Sequence, residues 1–225
     1  MKTINRLQNS KIIANSSLLI IFFYVFLAVL SFGFLNTSLP GLKVAQLLFI
    51  PIIAGILGFA RAAYNFSFDE IISWEKGKTI YYSLIISSAI LVLSQVFLIT
   101  AGSDEGLPIH LPLYYIGIIS LILSSCSFTI SFFFVRKQLS ILYFKKVVIR
   151  HPGIYLLTGY IFQIIAYCIY FVSFFFNNQS IQGIMDIIGV SVVAASLLML
   201  AIGFFQINIS FRAYPHLVED ESIRP

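Results

Sequence analysis

The side chains of this chain that could do chemistry are few and scattered. The three histidines, His110, His151 and His216, flank apolar runs rather than interrupt them. No two of them can therefore offer axial ligands at matched depth to a haem held between helices. His110 follows Asp104 and Glu105, a set able to touch a metal ion, but with no second spaced pair of ligands it reads as a solvated loop. His151 stands between Arg150 and Pro152, downstream of Lys145 and Lys146, and an earlier connection carries Asp69, Glu70 and Glu75. Cations suit phosphate headgroups and carboxylates suit magnesium, so these are the parts a lipid-headgroup enzyme would need. Their spacing matches no phosphotransfer motif, and membrane insertion alone accounts for the cations. Cys126 and Cys168 lie in consecutive apolar runs at expected depths roughly 10 Å apart, too far for a disulfide. The sequence has no phosphate loop, nucleophile elbow, His-Glu-x-x-His pair or dinucleotide fingerprint. The expectation is a protein that is not an enzyme and uses no metal or cofactor.

A second class of candidate is uncharged and lies inside the apolar runs. Ser87, Ser88, Ser94 and Gln95 share one run; Gly117, Ser120, Ser124, Ser127 and Ser131 recur at helical spacing in the next; Gly159, Gln163, Ala166, Tyr170 and Ser173 do so in the one after, with Tyr167 nearby. Small residues let helix backbones approach, and serine can satisfy its hydroxyl on the preceding turn. Ser87, Ser94, Gln95, Ser120, Ser124, Ser127, Gln163 and Tyr167 thus have two readings. They form a dry packing seam, or they line a hydrated cavity for a small solute between the third, fourth and fifth runs.

The elements that carry these residues follow from composition. Of 225 residues, 59% are hydrophobic and only 10% charged, against about 25% charged in a soluble domain, and the mean hydropathy is +0.96. A soluble globular domain and a disordered chain are both excluded. A bilayer core about 30 Å thick needs roughly 20 apolar residues of helix, and six stretches qualify: Ser17 to Asn36, Val44 to Tyr64, Thr79 to Ala101, Leu111 to Val135, Gly153 to Phe176 and Ile187 to Asn208. Continuous runs such as LLIIFFYVFLAVL lack the in/out alternation of a membrane β-barrel. The predicted fold is an all-α, polytopic bundle of six transmembrane helices in three hairpins, one domain over 1–225 with short cytoplasmic tails at 1–16 and 209–225. Ser31-Phe32-Gly33 resembles a signal-peptide cleavage site, but the run before it is long enough to span, and removing it would leave an odd number of spans.

Orientation follows from charge, because short cytoplasmic loops retain Lys and Arg. Of 14 such residues, only Lys43 lies in a connection on the opposite side. Both termini are therefore expected in the cytoplasm, with the chain in the cell membrane. Tyr81, Tyr82, Tyr155 and Trp74 at the inner boundary and Tyr114 and Tyr115 at the outer one suit an aromatic belt. Residues 64–78 have the pattern of a short amphipathic in-plane helix, 136–150 read as a helix extension plus turn, and Pro51 reads as a kink that shapes the second span. The expected partners are the lipid bilayer, anionic headgroups at the inner face and other membrane subunits. Nucleic acid is not among them, since the cations are dispersed over loops at the membrane. The functional expectation is an accessory, assembly or structural subunit of a membrane complex, with a small-solute transporter or binding component as the alternative. A compartment-specific reporter fused after Arg212 is expected to be cytoplasmic and one inserted at Asp104 external; a C-terminus found outside would remove the six-span arrangement.

Overall fold

An apolar sequence in lipid must satisfy its backbone internally, and the α-helix does so along its whole length. The computed structural model consists of six helices: α1 (Lys2–Phe34), α2 (Phe49–Phe66), α3 (Gly77–Ser103), α4 (His110–Phe144), α5 (Ile154–Ser173) and α6 (Gln179–Ser222). The structure describes residues 2–34, 49–66, 77–103, 110–144, 153–176 and 178–222, and the side chains of 7–31, 49–65, 77–101, 112–137, 153–176 and 178–212; there is no strand among the described residues. Five helices hold apolar stretches of 20 to 34 residues, long enough to cross a membrane, and α2 holds a shorter one, Phe49–Asn65.

The helices overrun the apolar stretches. α1 begins at Lys2 rather than near Ser17 and α6 runs to Ser222 rather than stopping near Asn208, so helix continues through the two segments expected as tails. The physical reason is a packing partner: Ser10, Ile13, Ala14, Ser210 and Phe211 are buried, and the Asn208 side-chain amide donates to the Ala14 carbonyl at 2.5 Å. α4 extends to Phe144 as expected, whereas the turn that should follow, the 67–76 part of the amphipathic segment, and His151 lie outside the described residues. Pro51 is the third residue of α2 as described, and the residues before Phe49 lie outside the described ones. Gly153 sets the start of α5 with a left-handed φ of 79°. A side chain there would strain the backbone, and its Cβ would lie 2.9 Å from the Cβ of Arg136.

Each helix packs on its neighbours in the chain, and α1 packs on α6, so the six close into a ring. Neighbours run antiparallel: Gly55 meets Ile20 across α1–α2, Gly117 meets Leu98 across α3–α4, and Gly189 meets Tyr170 across α5–α6. Among the described residues, backbones of non-neighbouring helices do not approach one another. Side chains fill the space between them. Tyr24 of α1, Phe59 of α2, Phe128 and Phe132 of α4, Tyr160 of α5 and Phe204 of α6 are all buried. Tyr160 stacks on Phe128 and Phe132 at 5.0 and 5.3 Å, while Phe204 meets Phe132 and Phe59 edge-on at 5.5 and 6.4 Å. Five helices thus contribute to one aromatic plug across the ring.

The outside of the ring is apolar as well. Phe22, Val29, Phe133 and Phe175 are 55% to 66% exposed, an arrangement costly in water and natural against acyl chains. Small residues turn inward and allow close approach: a Cβ on Gly159 would sit 2.7 Å from Leu200 Cγ, and one on Gly203 would sit 2.6 Å from Leu156 Cγ. The α5–α6 contact is therefore a reciprocal pair of leucines seated on glycines. Replacing Gly159 or the buried Ser124 by Leu is expected to destabilise the bundle by about 1–3 kcal/mol through overpacking, whereas Phe133→Leu and Phe175→Leu should shift it little. Unfolding followed in detergent micelles checks this, and equal tolerance at both sets would reverse the assignment of faces.

Candidate functional site

The polar candidates gather on three successive helices of the ring, α3, α4 and α5. Ser87 is their hub. It donates to the Ser83 carbonyl at 2.7 Å, and its Oγ lies 2.7 Å from Ser127 Oγ. With the Ser87 proton committed to its own helix, the Ser127 hydroxyl must be the donor in that pair. Ser124 donates to the Ser87 carbonyl at 3.1 Å, and Ser131 stands 3.4 Å from Ser87 Oγ while donating to the Ser127 carbonyl. Ser87, Ser124 and Ser127 therefore form a hydrogen-bonded clasp between α3 and α4. Ser94 turns back onto the Leu91 carbonyl at 2.7 Å, and Ser120 sits half-buried one turn from Ser124 on the same face.

Gln163 and Tyr167 line the buried face of α5. Gln163 Oε1 accepts from Ser125 at 3.5 Å, a long bond that ties α5 to α4. Gln95 is buried on α3, and its Oε1 has no hydrogen-bond partner among the described residues; the same is true of Ser88 Oγ, two helical turns away on that helix, and of Gln206 Oε1 on α6. A buried acceptor without a donor costs about 1–3 kcal/mol, so Ser88 and Gln95 mark the least satisfied part of the interior.

Two layers result along the ring axis. Running along α5 from its start, Tyr160 comes first, then Gln163, then Tyr167; antiparallel α4 presents Ser124 and Ser125 before Phe128 and Phe132. The polar layer thus stands on top of the aromatic plug. The plug's own polar atoms meet each other, with the hydroxyls of Tyr24 and Tyr160 3.1 Å apart between α1 and α5. Of the residues singled out in the sequence, the structure joins Ser87, Ser124 and Ser127 directly. Gln163 is reached through Ser125, which helical spacing alone did not select. The plug was not legible either, because 23 phenylalanines give no signal for which of them point inward.

Among the described residues no group of three or more His, Cys, Asp or Glu side chains is placed to hold a metal ion, and Cys126 and Cys168 are free thiols. The histidine and carboxylates of the enzyme alternative, His151, Asp69, Glu70 and Glu75, lie outside the described residues. Comparison with protein-family models, with curated proteins and with solved structures finds no match to this chain.

The clasp makes a measurable claim. In a double-mutant cycle, Ser87→Ala and Ser127→Ala are expected to couple by about 0.6 kcal/mol, the size typical of hydrogen bonds between helices in a bilayer. Unfolding free energies in detergent provide the readout, and strict additivity would show that the two hydroxyls do not interact.

Proposed function

We propose that this protein works by contact: a six-span protein of the cell membrane, both termini cytoplasmic, with no catalytic centre of its own, serving as an accessory, assembly or structural subunit of a membrane complex. The observation that carries this reading is the aromatic plug. A conduit along the ring axis would need a wettable path, and Tyr24, Phe59, Phe128, Phe132, Tyr160 and Phe204 occupy that axis with buried rings. The hydrogen-bonded serines of α3 and α4 fit the same reading, since hydroxyls satisfied by each other and by their own helices ask nothing of a solute. Lys11, Arg61, Lys78, Lys137 and Arg212 are exposed at one end of the bundle, where anionic headgroups would meet them. Arg61 lies 5.9 Å from the centre of the Tyr64 ring, a placement suited to an interface residue.

The second reading, a binding component for a small neutral solute, rests on Ser88 Oγ and Gln95 Oε1. Both are buried without partners among the described residues, and a ligand bearing N–H or O–H groups would satisfy them. The two readings differ in hydration. With Cys126 and Cys168 replaced by alanine, single cysteines at Ser94 and Gln163 are expected to resist membrane-impermeant thiol reagents, and mild detergent is expected to extract the chain with a stoichiometric membrane partner. Rapid labelling at both positions in a chain that purifies alone would replace the contact reading with the solute-binding one.

A further inference from the structure

At the cation-bearing end of the bundle, α2 and α3 meet through aromatic rings. Tyr64 of α2 and Tyr81 of α3 have their ring centres 5.1 Å apart, which fixes the line along which the two helices touch. On α2 the residues three, seven and fourteen positions before Tyr64 share its stripe; they are Arg61, Leu57 and Ile50, and all three are exposed. On α3 the stripe of Tyr81 holds Lys78 three positions before it, Ile85 four after and Val92 eleven after, with Lys78 and Val92 exposed and Ile85 half-buried. Ile56 of α2 and Leu84 of α3, which point elsewhere on the same helices, are fully buried. The two stripes therefore lie on the outside of the ring and flank one furrow. It is apolar along its length and carries one cation on each wall at the same end.

The polar groups at that end come from both helices. The Arg61 guanidinium lies 5.9 Å from the centre of the Tyr64 ring, within cation–π range. Tyr82, 58% exposed and one turn along α3 from Lys78, sets its ring 5.3 Å from that of Tyr81. A guanidinium offers paired donors to phosphate oxygens, an ammonium adds a second positive charge, and phenols donate at headgroup depth. Basic sites between spans take anionic headgroups for these reasons. Free phosphate would have no use for the apolar remainder of the furrow, whereas an acyl chain would lie along it. We propose that the α2–α3 furrow is a binding site for an anionic phospholipid, with the phosphate at Arg61 and Lys78 and one acyl chain along Leu57, Ile85 and Val92. Such a site presupposes the membrane-spanning reading and narrows a general attraction of headgroups to one pair of helices.

The test uses the full chain in nanodiscs of equal phosphatidylglycerol and phosphatidylcholine, with the lipid retained on the protein identified by native mass spectrometry. The discs carry the same lipids in both leaflets and no partner protein, so the outcome depends neither on topology nor on a role in a complex. The wild type is expected to retain phosphatidylglycerol over phosphatidylcholine by about tenfold, the scale set by two cations at a membrane surface. The double variant Arg61→Gln/Lys78→Gln should lose most of that preference with an unchanged thermal unfolding profile. Lys11→Gln/Arg212→Gln, which removes the same charge from α1 and α6, should lose much less. Phosphatidylglycerol with a photoreactive acyl chain, which needs no substitution in the protein, should crosslink mainly within 50–64 and 78–92, and inorganic phosphate should not displace it. Equal retention of both lipids by the wild type is the result expected if Asp69, Glu70 and Glu75 of the joining residues neutralise the pair, and it would overturn the proposal. So would equal losses in the two double variants, crosslinks spread evenly over the six helices, or displacement by phosphate.

Discussion

Lipid offers no hydrophobic incentive for one apolar helix to leave acyl chains for another, so the association of these helices depends on how closely their backbones can approach. Everything else in the structure follows from where close approach is permitted. Gly159 and Gly203 receive Leu200 and Leu156 across α5–α6, and Gly55 and Gly58 of α2 let it settle against Ile20 and Ser16 of α1. Gly117 meets Leu98 in the same way across α3–α4, and α6 packs back on α1. There the Asn208 side chain closes the ring on a backbone carbonyl of α1, an interaction that gains from having no water to compete for either group.

A ring of six helices leaves an axis wider than aliphatic side chains fill readily. Large, flat side chains solve that problem, and the plug has the offset and edge-to-face contacts that aromatic quadrupoles favour. Its position matters for function. It lies on the side of the polar layer nearer the cation-bearing end, so any wettable space on the other side would be a pocket and not a passage. The polar layer is uneven: Ser87 on the α4-facing side of α3 is satisfied, while Ser88 Oγ and Gln95 Oε1 have no partner among the described residues.

Among the described side chains, charge is separated along the bundle. The described cations occupy one end, and the one described acid, Asp186, occupies the other, where it accepts from Ser173. At the cation end Arg61 lies beside Tyr64, whose ring is 5.1 Å from that of Tyr81, so aromatic side chains stand at both ends as an interfacial belt requires.

The sequence by itself determined that the chain is helical and apolar, where the helices lie to within about a turn at most ends, and which faces of α4, α5 and α6 turn inward. Helical periodicity is a local property, and Gly117, Ser124 and Ser131 or Gly189, Ser196 and Gly203 carry it in their spacing. Only the tertiary structure decided how far α1 and α6 continue, because a helix end with polar sequence persists when a neighbour packs on it, and the run from Lys2 to Ser16 contains nothing that announces α6. The same limit applies to the site. Ser87 and Ser127 were both visible as polar residues, but the contact between them, the bond from Ser125 to Gln163 and the meeting of Tyr24 with Tyr160 join residues 38 to 136 positions apart. Hydropathy and spacing describe what a helix presents to its surroundings; which surroundings it meets is set by the order in which six helices close their ring.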